Sequence, residues 1–438
     1  MERKNRGILK NKLFLYLTEF FSGMSVMAVE LGASRLLAPY FSSSQIVWTI
    51  IIGTIMIAMA LGNIYGGRTA DKSPNPDKLY GRIIVAALWI ALIPVVGKYI
   101  LALSIVYFVM EKAGKKKVIA SVLIFAFCCG TGYSDSFAFW ENNLTYEGES
   151  VYNYLQVYEN DERVALSTNV LFGVQSVYMK QDELTGMYYD YAMAAPLMLK
   201  DKPTDQMDVL ILGMGTGTYA TQCRKYFGDM NIEGVEIDEK ITDLSRKYFS
   251  LSEDVPVTTY DGRAFLNASQ KAYDVIMVDA YQDITIPFQM SSKEFFALVK
   301  SHLKDDGVMV VNMNMRGTKE GNINQYLSDT IGSVFTTEVI VDVAGSSNRE
   351  LFASDDPDIG KNLTKHTGEL TNANLKNMMQ EVASNLTEYQ KGNYILTDDQ
   401  APVELLGMQV IDELIKDEVQ YYKDIYKERG IKGLMESL

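Results

Sequence analysis

The sequence predicts a membrane-embedded helical region joined to a water-soluble α/β domain. Three observations carry that prediction. Long apolar runs are confined to residues 1–132, the net charge reverses beyond them, and strands begin to alternate with helices near residue 207.

Residues 13–33, 46–66 and 83–110 are each apolar for long enough to cross a bilayer. A fourth run, 118–132, is marginal in length and follows Lys115, Lys116 and Lys117. Four spans are therefore expected. A cleaved signal peptide fits the first run poorly, because the run is too long and further apolar runs follow it. Residues 1–132 carry 15 Lys and Arg against 6 Asp and Glu, whereas the remainder carries 26 against 49. A basic apolar segment before an acidic polar one is the asymmetry of an anchor carrying a soluble domain. The basic N-terminus and the loop with Arg68, Lys72, Lys78 and Arg82 both favour the cytoplasmic side. Four spans then return the soluble domain to the cytoplasm of a multi-pass cell-membrane protein. A hairpin broken at Gly97-Lys98 would reverse that, with halves short for a crossing. Glu30 lies in the first span with Glu19, and Arg35 lies at its edge. A carboxylate is costly in lipid, so Glu30 is expected to face other helices and to pair with Arg35. That pair reads equally as structural or as part of an ion or substrate path.

A polar linker near 133–150 precedes three short alternating runs, at 151–159, 163–169 and 174–180, which predict a small β domain ending near residue 200. From 201 to about 350 the pattern changes. Apolar strands are expected at 208–213, 231–238, 255–260, 273–280 and 308–313, with helices over 218–228, 239–249 and 292–303. Near-continuous apolar strands separated by helices predict a doubly wound parallel sheet covered on both faces. Residues 351–438 are mixed and read as an extension of the α/β domain.

The chemistry gathers at predicted strand ends. The strand at 208–212 runs into Gly213, Gly215 and Gly217, and a helix opens just beyond. Glycines there permit a tight turn and let a ligand approach the main chain. Glu236 ends the next strand, 23 residues past Gly213, where a carboxylate can accept hydrogen bonds from ribose hydroxyls. Its structural alternative is a carboxylate favoured by a helix N-terminus; Asp238 is the better candidate for that cap. Asp261 closes the third strand, placed for an exocyclic adenine amine, and Asp279 closes the fourth. A solvated turn would account for either acid alone; three consecutive strand ends bearing acids argue for one site. The acidic soluble part is expected to repel nucleic acid and to attract polycations. Cys128 and Cys129 lie in an apolar run and Cys223 stands alone, so no disulfide framework is expected. His302 and His366 lie apart from any ligand cluster, so no metal site is expected.

On these residues, segment 148–316 resembles the spermidine synthase (polyamine aminopropyltransferase) family. Ser150-Val151-Tyr152-Asn153 resembles an early Ser-x-Tyr-Gln segment, with Asn153 at the nucleoside-contacting Gln. Gly173-Val174-Gln175-Ser176 resembles the Gly-x-x-Gln turn. Asp182-Glu183 followed by Tyr188-Tyr189-Asp190 and Pro196 resembles the family's Asp-Glu…Tyr-Gln/His-Glu run. Glu30 to Pro39, Ala60-Leu61-Gly62, Gly66-Gly67-Arg68, Ala70-Asp71 and Leu396 to Glu404 resemble bacterial proteins that fuse a membrane region to such a domain. The resemblance implies a Rossmann-like, methyltransferase-type sheet. It implies that decarboxylated S-adenosylmethionine is bound as co-substrate by Asn153, Gln175, Gly213, Gly215, Gly217, Glu236 and Asp261, with no covalently bound cofactor. It also implies a catalytic Asp279 and a polyamine pocket containing Tyr188, Tyr189, Asp190 and Asp283. Two positions depart from the family pattern: Thr216 stands where Gly-Gly-Gly-Asp-Gly has its Asp, and Gln282 replaces the second acid of Asp-Ser-Ser-Asp, with Asp283 one residue later. The membrane region is also shorter than in typical fused relatives.

The leading expectation is a transferase that moves an aminopropyl group to a polyamine such as putrescine. Asp279 would act as general base, and Tyr188 and Asp190 would orient the diamine. Two alternatives stay open: a methyltransferase using S-adenosylmethionine, and a non-catalytic membrane sensor or transporter of polyamines. The expected partners are the lipid bilayer and a polyamine, with a homodimer possible.

Overall fold

The structure, a computed structural model, describes residues 12–41, 45–72, 79, 81–86, 143–168, 174–181, 183–200, 202–280, 286–314, 317, 319–410, 423–425, 427 and 429–430. The chain divides into two compact units: Met1–Asn142 with Asn169–Leu171, and Asn143–Thr168 with Phe172–Leu438.

In the first unit, the apolar runs at 13–33 and 46–66 fold as α1 (Lys12–Phe41) and α2 (Gln45–Lys72). Large apolar side chains project outward from both, among them Phe20, Phe21 and Met27 on α1 and Ile50, Met56 and Ile57 on α2. Within α2, Trp48–Thr69 is long and apolar enough to cross a membrane. It is the one such helix among the described residues, so the expected four spans are not found there. From residue 87 onward the runs at 83–110 and 118–132, with Cys128 and Cys129, lie outside the described residues, as does the Arg35 side chain of the expected Glu30 pair.

The second unit opens with a four-stranded antiparallel meander: β1 (Leu144–Glu149), β2 (Tyr154–Glu159), β3 (Arg163–Ser167) and β4 (Ser176–Met179). The linker expected at 133–150 therefore contains a strand. β1 pairs with β2 through a shifted register and buries little, which is why its sequence reads as polar. Leu155, Val157, Val164 and Leu166 project from one face of this sheet onto Ile241, Leu244 and Phe249 of the following domain.

Two short helices, α3 (Tyr188–Ala192) and α4 (Ala194–Met198), lead into the main sheet. Its parallel strands are β5 (Asp208–Leu212), β6 (Asn231–Glu236), β7 (Val257–Thr259), β8 (Tyr273–Val278) and β9 (Leu303–Met313). Helices α5 (Thr218–Phe227), α6 (Glu239–Tyr248), α7 (Gly262–Ala268) and α8 (Lys293–Ser301) connect them. Beyond β9 come α9 (Ile323–Gly332), β10 (Thr337–Asp342), β11 (Arg349–Ser354), α10 (Ile359–Glu369), α11 (Ala373–Asn385) and β12 (Thr387–Glu388).

The sheet order is β12-β10-β11-β9-β8-β5-β6-β7. The first prediction, a parallel sheet, needs correction: β10, β11 and β12 pair antiparallel, so the sheet is mixed. β11 inserts between β9 and β10, a long-range pairing that local periodicity does not report.

Period-two alternation builds the core. Val209, Ile211, Val275, Met277, Val308, Val310 and Phe352 face one layer, which α3, α4, α5, α10 and α11 cover. Leu210, Leu212, Ile276, Val278, Met309, Val311 and Leu351 face the other, under α7, α8 and α9. Both faces of each central strand are buried, hence the continuous apolar runs.

Candidate active site

β6 and β8 flank β5 on opposite sides, so the chain reverses its strand order there, and ligands in open α/β sheets bind outside the carboxyl ends at such a point. Register places the acids. Leu212 pairs with Val235 on β6 and Val278 on β8, which sets Gly213, Glu236 and Asp279 at one level across three strands. Val278 also pairs with Val311, extending the row to Asn312. Asn312 in turn pairs with Glu350 on β11. Gly213, Asp279, Asn312 and Glu350 each lie two residues from an inward residue of the first core layer, so that row projects toward the layer of α3 and α5.

Gly213 is required by this closeness. Its φ is +86°, and a Cβ there would stand 2.5 Å from the backbone oxygen of Asp279. Gly215 and Gly217 also hold positive φ, and the Gly215 N–H donates to Glu236 Oε2 at 2.8 Å. Glu236 Oε1 accepts from the Asp238 N–H at 3.0 Å. Burial pushes the Glu236 carboxyl up, against the pull of those N–H groups. Asp238 caps α6 as expected, accepting from the Lys240 N–H. Its other oxygen accepts from Ser150 Oγ and, at 2.9 Å, from Asn153 Nδ2, which brings the β-meander segment to the Glu236 strand tip.

Asp279 sits between two donors: Tyr188 Oη at 2.7 Å on Oδ2 and Asn312 Nδ2 at 2.9 Å on Oδ1. Burial pushes its carboxyl up to about 7; the two hydrogen bonds oppose that, and the Glu236 charge adds to it. Taken as a whole residue, Asp279 is half-buried. Burial and the Asp279 charge hold the Tyr188 phenol well above its ordinary range, so it stays a donor. Tyr189 stacks tilted against Tyr188 at 4.0 Å and donates to the Gln175 carbonyl. Gln175 thereby reaches the site's margin through its backbone.

Asp190 is buried and turned inward, accepting from the Thr185 hydroxyl at 2.9 Å and the Gly186 N–H at 2.7 Å. It fixes the turn that presents Tyr188. Asp261 caps α7, accepting from the Ala264 N–H at 2.8 Å, while its Oδ2 faces Gln289 Nε2 at 3.5 Å. Thr216 is buried and pairs with Thr218, whose hydroxyl donates to the Val177 carbonyl. Gly173, Asp182, Gln282 and Asp283 lie outside the described residues.

The opposite end of the strands uses the same residue types differently. Asp208 and Asp274 are bridged there by Lys304, with Lys202 also on Asp274 at 2.6 Å. Acids at that end are neutralised; Glu236, Asp279 and Glu350 form no ion pair among the described residues. Asn312 and Glu350 were not singled out from sequence. Asn312 left a trace, a lone amide in the apolar run at 308–313; Glu350 sits where the pattern reads as mixed.

Sheet order, glycine turn and acidic strand tips define a methyltransferase-like α/β protein. Residues 187–343 match the spermine/spermidine synthase domain family. A protein from Bifidobacterium longum described as a probable polyamine aminopropyl transferase is 52% identical over 355 residues, 77% of this chain and 78% of that one. The chain belongs to this polyamine aminopropyltransferase family. A Vibrio vulnificus polyamine aminopropyltransferase is 26% identical over 200 residues, 44% of this chain and 65% of that one. A solved structure, a probable spermidine synthase from Corynebacterium glutamicum, aligns with a TM-score of 0.43 at 19% identity, covering 57% of this chain and 96% of that one.

Proposed function

We propose that this chain is a membrane-anchored aminopropyltransferase, moving the aminopropyl group of decarboxylated S-adenosylmethionine to a polyamine such as putrescine. The observation that carries the reading is Asp279, held by Tyr188 and Asn312 at the strand switch point, level with Glu236 and the glycine turn. Membership of the family supports it.

In this reading Glu236, with the main chain of Gly213, Gly215 and Gly217, binds the nucleoside; Asp261, Asn153 and Gln175 border it. Tyr188 and Tyr189 line the acceptor pocket and Asp190 holds their turn; Asp283 is assigned to the acceptor on the family resemblance alone. Asp279 takes a proton from the acceptor ammonium. The freed amine attacks the methylene beside the sulfonium, the C–S bond breaks, and methylthioadenosine leaves as a neutral thioether. A carboxylate with an affinity for protons near neutrality suits that task. No covalently bound cofactor is needed.

Residues 1–132 serve as the anchor in this reading, 133–200 as linker and β domain, 201–350 as nucleoside-binding domain and 351–438 as its extension. Exposed apolar faces on α1 and α2 support a lipid setting; the cytoplasmic placement of the soluble domain rests on the distribution of Lys and Arg in the sequence.

The test is direct. Purified protein given labelled decarboxylated S-adenosylmethionine and putrescine is expected to release methylthioadenosine, and Asp279→Asn to lower kcat by roughly 100-fold or more. No labelled product from folded wild-type protein would end the proposal.

A further inference from the structure

Glu350 has no part in the mechanism above, yet it ends the row of site residues. It is 0% exposed, and neither carboxylate oxygen has a hydrogen-bond partner among the described residues. Such a group is costly unless something uses it. It lies opposite Asn312, the residue that donates to Asp279, and Asn348 Nδ2 holds the Asn312 carbonyl oxygen at 2.8 Å. Asn312 is thus held through its side-chain oxygen with its amide nitrogen on Asp279, and it makes no hydrogen bond to Glu350 among the described residues.

Asp279 acts electrostatically on Glu350 from the end of β8, and Glu350 acts in turn on the phenols of Tyr189 on α3 and Tyr219 on α5. No cation faces it among the described residues. The neighbouring Arg349 is turned to Asp342, at 2.6 Å. A fully buried carboxyl with no hydrogen-bond partner favours its neutral form, and burial, then the Asp279 charge, push the affinity of Glu350 for protons well above the ordinary carboxyl range.

We propose that Glu350 is the second carboxyl group of the amine site, a positioning residue that gives up its proton when a dication settles beside Asp279. This rests on the aminopropyl-transfer reading and adds the basis for choosing an acceptor. In the empty protein the negative charge of the pair resides mainly on Asp279 at pH 7.5. An acceptor bearing two ammonium groups brings two positive charges into the same poorly solvated pocket. Glu350 then ionises, its proton passes to solvent, and two charges meet two. A monoamine brings one charge, which Asp279 alone balances, so the Glu350 proton stays in place. β11 would in this way supply a second acid from within the sheet, in a chain whose sequence has Gln282 where the family pattern has its second acid.

The experiment uses full-length protein in detergent with methylthioadenosine present. Putrescine and n-butylamine are titrated calorimetrically at pH 7.5 in two buffers of different ionisation enthalpy, which counts protons released. Wild-type protein is expected to release about one proton more per putrescine than per butylamine, the partial protonation of Asp279 being common to both. Glu350→Gln, and Glu350→Met as an apolar variant of similar size, are expected to release no more protons with putrescine than with butylamine and to bind putrescine roughly 10-fold or more weakly, with butylamine unaffected. Glu350→Asp is expected to restore proton release. A putrescine affinity and proton count unchanged in both neutral variants would overturn the proposal, as would wild-type protein that does not bind putrescine. Because no donor is consumed, failure of wild-type protein to make methylthioadenosine in a separate turnover assay would refute the transfer reading alone.

Discussion

Asp279 illustrates how one residue trades stability for chemistry. Burial holds its carboxyl near 7, whereas in the unfolded chain it titrates near its ordinary value of 3.8. Between those two pH values the native state binds the extra proton. The stability this contributes is fully present below 3.8 and is lost as pH rises through about 7. Asn cannot ionise, and it can still accept from Asn312 while meeting the Tyr188 oxygen with its amide. Asp279→Asn is therefore expected to be more stable than wild type at pH 8, by about 2 kcal/mol after allowing for the open part of the site. That advantage should shrink toward pH 4. Thermal unfolding of both proteins across this range checks it; a difference independent of pH would mean that Asp279 titrates as an ordinary carboxylate.

At the scale of elements, α7 separates two roles that a single acid can hold. Asp261 is the N-cap of that helix, and it also stands two residues beyond the end of β7, beside the Glu236 strand. Replacing an N-cap acid by Ala costs about 1 kcal/mol, whereas Ser keeps the cap. Asp261→Ala is expected to lose that stability together with nucleoside affinity. Asp261→Ser is expected to keep stability and still bind methylthioadenosine roughly 10-fold more weakly, because the carboxylate is gone. Equal affinity in Asp261→Ser and wild type would reduce Asp261 to a cap. A comparable division is visible on α6, where Asp238 caps the helix with one oxygen and receives Ser150 and Asn153 on the other.

At the scale of the whole molecule, the two units differ in what their surfaces ask of the solvent. The second buries its apolar strands on both faces, while α1 and α2 present Phe20, Phe21, Met56 and Ile57 outward. Apolar surface of that extent needs a cover, and the proposed cover is lipid. The full chain is expected to remain in the membrane pellet after extraction with alkaline carbonate and to enter detergent. Recovery in the carbonate supernatant would refute the anchor without touching the chemistry of the sheet.

Local sequence alone determined much of this protein. Fully buried strands must read as apolar runs, and a strand that turns sharply onto a helix needs residues free to take positive φ. Hence β5, β6, β8, the glycine turn, Glu236, Asp238 and Asp279 were legible from residues near in the chain. Tertiary structure decided the rest. The antiparallel insertion of β11 between β9 and β10, the inward turn of Asp190 and Thr216, and the alignment of Asn312 and Glu350 with Asp279 all depend on pairing across long stretches of chain. Register between strands fixes which side chains share a row, and it follows only once the partners are known, which for β9, β11 and β10 are set by pairing between distant segments.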